Sequence, residues 1–459
     1  MSKANCHSGL FTDLYELTMA AAYFENKFTP QASFELFVRS LPAQRGYLVA
    51  AGLEQAIDFL ESVHFSGADI DFLRQQSNFR HISADFFEYL RGFRFTGEVW
   101  AVPEGTPMFG EEPLLRVTAP IIEAQIVETF LLSTITFQTM IASKAARVVE
   151  AAKGRSVVEF GSRRAHGPEA GTLAARAAYI AGCSGTSNVE AGQRFGVPVF
   201  GTMAHSFVMA YSDEEESFKR FQQMFPEHTV LLVDTYDTME AIEKIIDARL
   251  RPQAVRLDSG DLVKMSQAVR SRLDSAGLSA TQIFASSDLD EFVITDLLAR
   301  GAKIDAFGVG TSMATSHDAP ALGGVYKLVS VDAGGSPSYR AKLSGDKVTY
   351  PGTKQVFRFR GQNGIYKEDV IGRQSEKYAD ADPLLECVMT NGTRSQSLPN
   401  AQQARERTRQ ELGKIPAEVR RLHKPEPFSV RFSGELQKLL EEFRNRMAQR
   451  GSKVAPGSS

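Results

Sequence analysis

From about residue 155 the chain repeats one pattern: a short apolar run ending in small or polar residues, then a segment with helical spacing. The runs are 157–160, 199–202, 230–234, 254–258, 283–286 and 306–309; helix-like stretches at 238–250, 261–276 and 290–302 lie between them. Strand–helix units of ~25–30 residues demand parallel strands, because a crossover helix is what returns the chain to start the next strand in the same direction. Closed on itself, such a sheet is a parallel α/β barrel. An open doubly wound sheet is the competing architecture, and the absence of a Gly-x-Gly-x-x-Gly fingerprint in the first unit weighs against it.

The flanks read differently. Residues 1–130 mix helices with alternating strands. Asp13 as N-cap, with Glu16 three residues on, predicts a capping box, and Leu17, Ala20, Ala21 and Phe24 continue at helical spacing. Residues 34–39 alternate like a strand with one buried face, and 127–152 read as one long helix. After Lys327 helical spacing stops. Residues 348–352 and 355–360 read as strands and turns, 434–449 as a charged amphipathic helix and 451–459 as a disordered tail. The expected organisation is a small α+β domain begun by 1–130, a barrel over 131–325, a return over 326–450 that completes the small domain and adds a helical C-terminal region, and the tail.

A chain of 459 residues suits two or three domains. Lys+Arg number 52 against 55 Asp+Glu, a net charge of -3, so no basic field marks nucleic acid as a partner. An anionic substrate would have to be held by local arginines and backbone amides. Cys6, Cys183 and Cys387 are too far apart for a disulfide framework or a zinc spacing, which predicts reduced thiols in the cytoplasm. No stretch is apolar enough to span a membrane, and the first residues lack the apolar core of a signal peptide.

Barrels keep their working residues at the C-terminal ends of the strands. Those ends carry Glu159-Phe160-Gly161-Ser162-Arg163-Arg164, Gly185 to Asn188, Thr202 to Ser206, Asp234, Arg256 to Asp261, Ser286 to Asp288, and Gly308 to Ser312. Gly308, Gly310 and Thr311 could expose successive backbone N–H groups as an anion cradle, or form a plain tight turn. Arg163, Arg164 and Arg256 offer fixed charge and bidentate donors, or surface ion pairs. Asp258 could accept from a sugar diol, cap the next helix, or both. His205 could be an acid, a base or a nucleophile, against the commoner structural histidine. Tyr15 and Phe160 could sandwich a flat heteroaromatic ring, though each alone is more often core packing.

The segments TDLYELTM, FELFVR, EFGSRRAHGPEA, GTSNVEAG, GTMAHSFVMAY, VDTYDT, AVRLDSGDL and FGVGTS occur in the order seen in nicotinate phosphoribosyltransferases, so that from about residue 10 to 360 the chain resembles that family. The resemblance implies an irregular α/β barrel with a smaller α/β domain. It implies the reaction of nicotinate with phosphoribosyl pyrophosphate to nicotinate mononucleotide and pyrophosphate, coupled to ATP hydrolysis, as the first step of NAD salvage from nicotinate. Tyr15 and Phe160 would stack on the pyridine ring. Arg256 and Thr202 would lie against its carboxylate, Arg163 between base and phosphates, Asp258 on the ribose hydroxyls, and Gly310 and Thr311 on the 5′-phosphate. His205 would be the histidine that ATP phosphorylates, and Ser206 and Ser187 would belong to the substrate site. Magnesium would arrive with the phosphates. Active sites would be shared across a homodimer, with Tyr15 supplied by the partner subunit.

Four rivals remain open, one of them a non-catalytic binding or signalling protein, against which stands the filling of every expected functional position. Nicotinamide phosphoribosyltransferase performs the same chemistry on a neutral base, but that family has Asp where this chain has Ser187. Quinolinate phosphoribosyltransferase chains are much shorter and need more basic residues. A Schiff-base aldolase would use Lys303, which precedes its strand instead of ending it.

Overall fold

The computed structural model describes residues 7–452 apart from 333, 335, 336, 346 and 396, with side chains described through residue 449. Residues 453–459, most of the expected tail, and Cys6 lie outside the described residues; 451 and 452 end the helix Gly434–Ser452. The chain forms two compact units, one of residues 1–139, 321–399 and 410–459, the other of 140–320 and 400–409.

The first unit is built on a seven-stranded sheet. Its order is Ser338–Tyr339, Gly324–Asp332, Gln31–Val38, Pro113–Pro120, Glu98–Ala101, Glu386–Thr390, Thr393–Arg394, and every pairing is antiparallel. The expected one-sided strand at 34–39 is buried on both faces. The reason is its inner place in the sheet, between 113–120 and 324–332. Its polar residue Glu35 survives burial because the backbone N–H and the ammonium of Lys354 both donate to it, each at 2.7 Å. That bond ties the returning chain to the first strand. The return segment adds a four-stranded sheet, in which the buried Arg358 pairs with Asp369 at 2.6 Å.

The predicted capping box does not form. Asp13 is the N-cap of the helix Leu14–Glu25, yet neither carboxylate caps that helix. Both turn to Thr129, whose hydroxyl lies 2.7 Å from Asp13 Oδ2 and from Glu16 Oε1, and whose N–H donates to Glu16 Oε1 at 3.1 Å. Burial makes this tertiary partner the better one. The predicted long helix at 127–152 is Glu128–Ala151, preceded by a separate turn of helix, Ile121–Ile126.

The second unit is a parallel six-stranded sheet in the order Gly185–Thr186, Ser156–Glu159, Ala306–Val309, Gln282–Ser287, Ala254–Leu257, Val230–Leu232. The run expected at 199–202 is no strand. Pro198 ahead of it lacks an N–H, and the run adds one bridge, Val199 to Thr186. The ladder is therefore not carried by backbone hydrogen bonds from Val199 to Val230 among the described residues, which makes the barrel irregular. The period of two in each strand sorts its interior into layers. Val158, Ala254, Phe284 and Ala306 form an apolar cluster, with Phe160 packed on it. Two residues further along their strands stand Phe160, Arg256, Ser286 and Gly308, and Asp258 follows Arg256. The interior is thus apolar below and polar at the strand ends.

A helix that the spacing did not predict, Ala401–Leu412, belongs in part to this unit. Its stripe is made of small residues, Ala401, Ala404 and Thr408, which carry little hydropathic signal. Arg405 on it donates to the carbonyls of Gly182 and Cys183 at 3.1 Å. Cys183 is buried with its sulfur 3.8 Å from that of Met313, and burial pushes its thiol far above the usual range, which suits packing and not reactivity.

Candidate active site

The polar strand ends of the second unit enclose a cavity of about 260 Å³ lined by Phe160, Arg163, Arg164, Arg256, Asp258, Ser286, Ser287, Asp288, Gly308, Gly310 and Thr311. Six residues predicted for the site therefore meet in one place: Phe160, Arg163, Arg256, Asp258, Gly310 and Thr311.

Arg256 is held on three sides. Its Nε donates to Ser286 Oγ at 2.7 Å, Nη1 to Thr202 Oγ1 at 2.7 Å and Nη2 to Asp258 Oδ1 at 2.8 Å. Its guanidinium lies 5.9 Å from the centre of the Phe160 ring, within reach of a cation–π contact. Ser286 also donates to Asp258 Oδ1. Burial alone would raise the Asp258 carboxyl. The hydrogen bonds from Ser286 and Arg256, with the charges of Arg256 and His205, outweigh it and hold the group below the usual carboxylate range. Asp258 does not cap the following helix; Asp261 does, accepting from the N–H groups of Val263 and Lys264.

Phe160 is seated by a missing side chain. A Cβ on Gly308 would stand 2.6 Å from Phe160 Cδ2 and 2.8 Å from Phe284 Cε1, so the two rings, 5.5 Å apart, need glycine there. At the rim Ser287 has φ of +148°, a strained backbone for a serine, of the kind that collects at binding sites.

His205 is half-exposed at the start of a short helix, His205–Met209, and its Nε2 is 3.3 Å from Oδ1 of Asp234, whose side chain is 4% exposed. The other oxygen of Asp234 accepts from the Asp258 N–H at 3.0 Å and the Ser259 hydroxyl at 2.6 Å. One carboxylate thus joins His205 to the turn that carries Asp258.

Five predicted residues do not line this cavity: Thr202 and His205, joined to it through Arg256 and Asp234, and Ser187, Ser206 and Tyr15. Ser187 does not line it; its N–H donates to the Glu159 carbonyl at 3.0 Å. Ser206 is exposed beside His205 and does not line it either. Tyr15 belongs to the first unit and is 46% exposed. Burial and then the neighbouring Glu128 and Glu16 push its phenol well above the usual range.

Residues without an assigned role in the sequence reading also shape the site. Buried Glu159 accepts from Thr186 Oγ1 at 2.6 Å and from the Gly161 N–H, and so ties the Arg163 turn to the Ser187 turn. Burial raises its carboxyl; the Thr186 and Gly161 bonds work against that rise. Ser286 and Asp234 have the signal that singled out Arg256 and Asp258, a polar residue at a strand end, but no spacing says which neighbour each will touch. No group of three or more His, Cys, Asp or Glu among the described residues is placed to cage a metal ion.

The chain is similar to known proteins over most of its length. Residues 10–136 match the nicotinate phosphoribosyltransferase N-terminal domain, 141–322 the quinolinate phosphoribosyl transferase C-terminal domain, and 373–440 the nicotinate phosphoribosyltransferase C-terminal domain. The nicotinate phosphoribosyltransferase pncB2 of Mycobacterium tuberculosis is 49% identical over 442 residues, covering 94% of this chain and 93% of that protein. The nicotinate phosphoribosyltransferase of Bacillus subtilis is 40% identical over 92% of each chain. The crystal structure of human nicotinic acid phosphoribosyltransferase superposes with a TM-score of 0.83 at 29% identity, covering 94% of this chain and 99% of that one.

Proposed function

The chain belongs to the nicotinate phosphoribosyltransferase family, and from that premise we propose that its barrel cavity joins nicotinate to the phosphoribosyl group of phosphoribosyl pyrophosphate, releasing pyrophosphate, with coupled hydrolysis of ATP. The observation that carries the reading is Arg256, fixed by three hydrogen bonds beside the face of Phe160. A flat ring bearing a carboxylate fits such a pair: the ring lies on Phe160 and the anion meets a guanidinium that cannot swing away.

The reaction breaks the bond from the ribose anomeric carbon to pyrophosphate and forms one to the pyridine nitrogen. Positive charge develops on the ribose and negative charge on the leaving group. Asp258, kept ionised by its partners, is suited to hold the ribose hydroxyls beside that positive charge. Arg163 and Arg164 at the cavity wall meet the pyrophosphate, and the backbone at Gly310 and Thr311 takes the 5′-phosphate. Carboxylate oxygens at Asp258 and Asp288 suit a hard cation arriving with the phosphates, so magnesium is expected as part of the phosphorylated substrates. When bound it neutralises phosphate charge.

His205 is the proposed acceptor of the ATP γ-phosphoryl group. A carboxylate only accepts, so Asp234 selects the tautomer with hydrogen on Nε2 and leaves the lone pair on Nδ1. Nδ1 attacks, ADP leaves, and water later releases the phosphoryl group as inorganic phosphate.

A homodimer with Tyr15 of the partner subunit completing the ring stack is part of the proposal. Its support is apolar side chains left open on each unit: Tyr15 is exposed on the first, and Val199, Phe200 and Met209 on the second. No helix among the described residues is long and apolar enough to cross a membrane, and Cys183 and Cys387 are free thiols, which fits a cytoplasmic enzyme. Turnover of nicotinate, nicotinamide and quinolinate with phosphoribosyl pyrophosphate, with and without ATP, tests the reading. Nicotinate alone should react well, and faster with ATP. Preference for nicotinamide would overturn it.

A further inference from the structure

Ser286 touches two charged residues of the cavity, Arg256 and Asp258, and it sits where the fold leaves it little freedom. It lies in the strand Gln282–Ser287, flanked by the strands that carry Arg256 and Gly308. Phe284 is the register partner of Arg256, so Ser286 is one step of two further on and faces the same interior. The residue is 4% exposed. Its hydroxyl has one hydrogen and two lone pairs, and both kinds of site are used: it accepts from Arg256 Nε at 2.7 Å and donates to Asp258 Oδ1.

We infer that Ser286 is a positioning residue, the clamp that sets the plane of the Arg256 guanidinium and the rotamer of the Asp258 carboxylate together. The two side chains already bond through Nη2 and Oδ1 at 2.8 Å. Thr202 holds Nη1 from another side, and Ser286 adds the contact at Nε. From Nε through the serine hydroxyl back to the same carboxylate oxygen the bonds close a ring, which fixes the guanidinium plane and the carboxylate together. The clamp therefore links the site for a substrate carboxylate to the site for a sugar diol. This rests on the proposed nicotinate reaction.

The alternative is that Ser286 merely fills space at a barrel layer. Ser286→Ala keeps the volume and removes the hydroxyl; Ser286→Thr keeps the hydroxyl. In the alanine variant the KM for nicotinate should rise about tenfold, the loss expected from one hydrogen bond to a charged group, with kcat within about twofold of wild type. The threonine variant should restore most of the KM. Unchanged KM in an alanine variant that melts like wild type would overturn the clamp, as would equal defects in both variants. Should wild type itself fail to turn over nicotinate, it is the function that falls.

Discussion

Arg256 does the most at the scale of single residues. Three acceptors fix it, so substitution removes a held charge and not a mobile one. Arg256→Ala should lower kcat/KM for nicotinate by ~2–5 kcal/mol, the range for losing one partner of a desolvated charge pair. Arg256→Lys should rescue little, because an ammonium cannot reach Ser286, Thr202 and Asp258 in one plane. Steady-state kinetics check both, and wild-type nicotinate kinetics in the alanine variant would make Arg256 structural. His205 is the second case. With Nε2 turned to Asp234, label from γ-phosphate-labelled ATP should sit on Nδ1 of His205, as acid-labile phosphate that peptide mapping and NMR can place. His205→Asn should lose the label and the ATP stimulation while keeping slow ATP-independent synthesis, since the cavity lining remains. Equal stimulation in the mutant would remove His205 from the coupling. Ser187→Asp should disturb nicotinate use less than Arg256→Ala, because Ser187 does not line the cavity.

At the scale of elements, the helix Leu14–Glu25 shows how a local signal can serve a tertiary end. Glu16 is buried at its first turn, and burial raises its carboxyl to about 8; bonds from Thr129 work against this, and Glu128 and Asp13 add to it. The folded state therefore holds the Glu16 proton more tightly than the unfolded chain, whose value is near 4.5. The stabilisation from that proton is complete below the unfolded value and is lost as pH rises through about 8. Thermal melts between those limits should show stability falling with pH, and Glu16→Gln should flatten the slope. An unchanged slope would mean that Glu16 ionises freely in the folded state.

The whole molecule raises the question of subunits. Tyr15 stands in one unit and Phe160 in the other, and Tyr15 is exposed. If active sites are completed across a homodimer, Tyr15→Ala and Arg256→Ala carry complementary defects. Unfolding and refolding the two together should return about a quarter of wild-type activity, since random pairing makes half the dimers mixed and each mixed dimer keeps one intact site. No recovery, with sedimentation showing a dimer, would place each site within one subunit.

Short runs ending in polar residues already announced parallel strands, because period and crossover length are properties of the chain itself. That Phe160, Arg163, Arg256, Asp258, Gly310 and Thr311 line one cavity was legible for the same reason: in a barrel, a strand end is a place in space as well as in sequence. Other features were decided only by packing. The two-sided burial of 31–38, the diversion of Asp13 and Glu16 to Thr129, and the weak bridge where a strand was expected at 199–202 each depend on a neighbour far away in the chain. The helix Ala401–Leu412 leaves no apolar stripe in the sequence, because alanine and threonine bury without a hydropathic mark. Ser286 was visible as a polar strand end, but only the register of its strand against that of Arg256 brings its hydroxyl to both charges. Hydrogen bonds act over ~3 Å, and sequence spacing does not say which strands lie side by side.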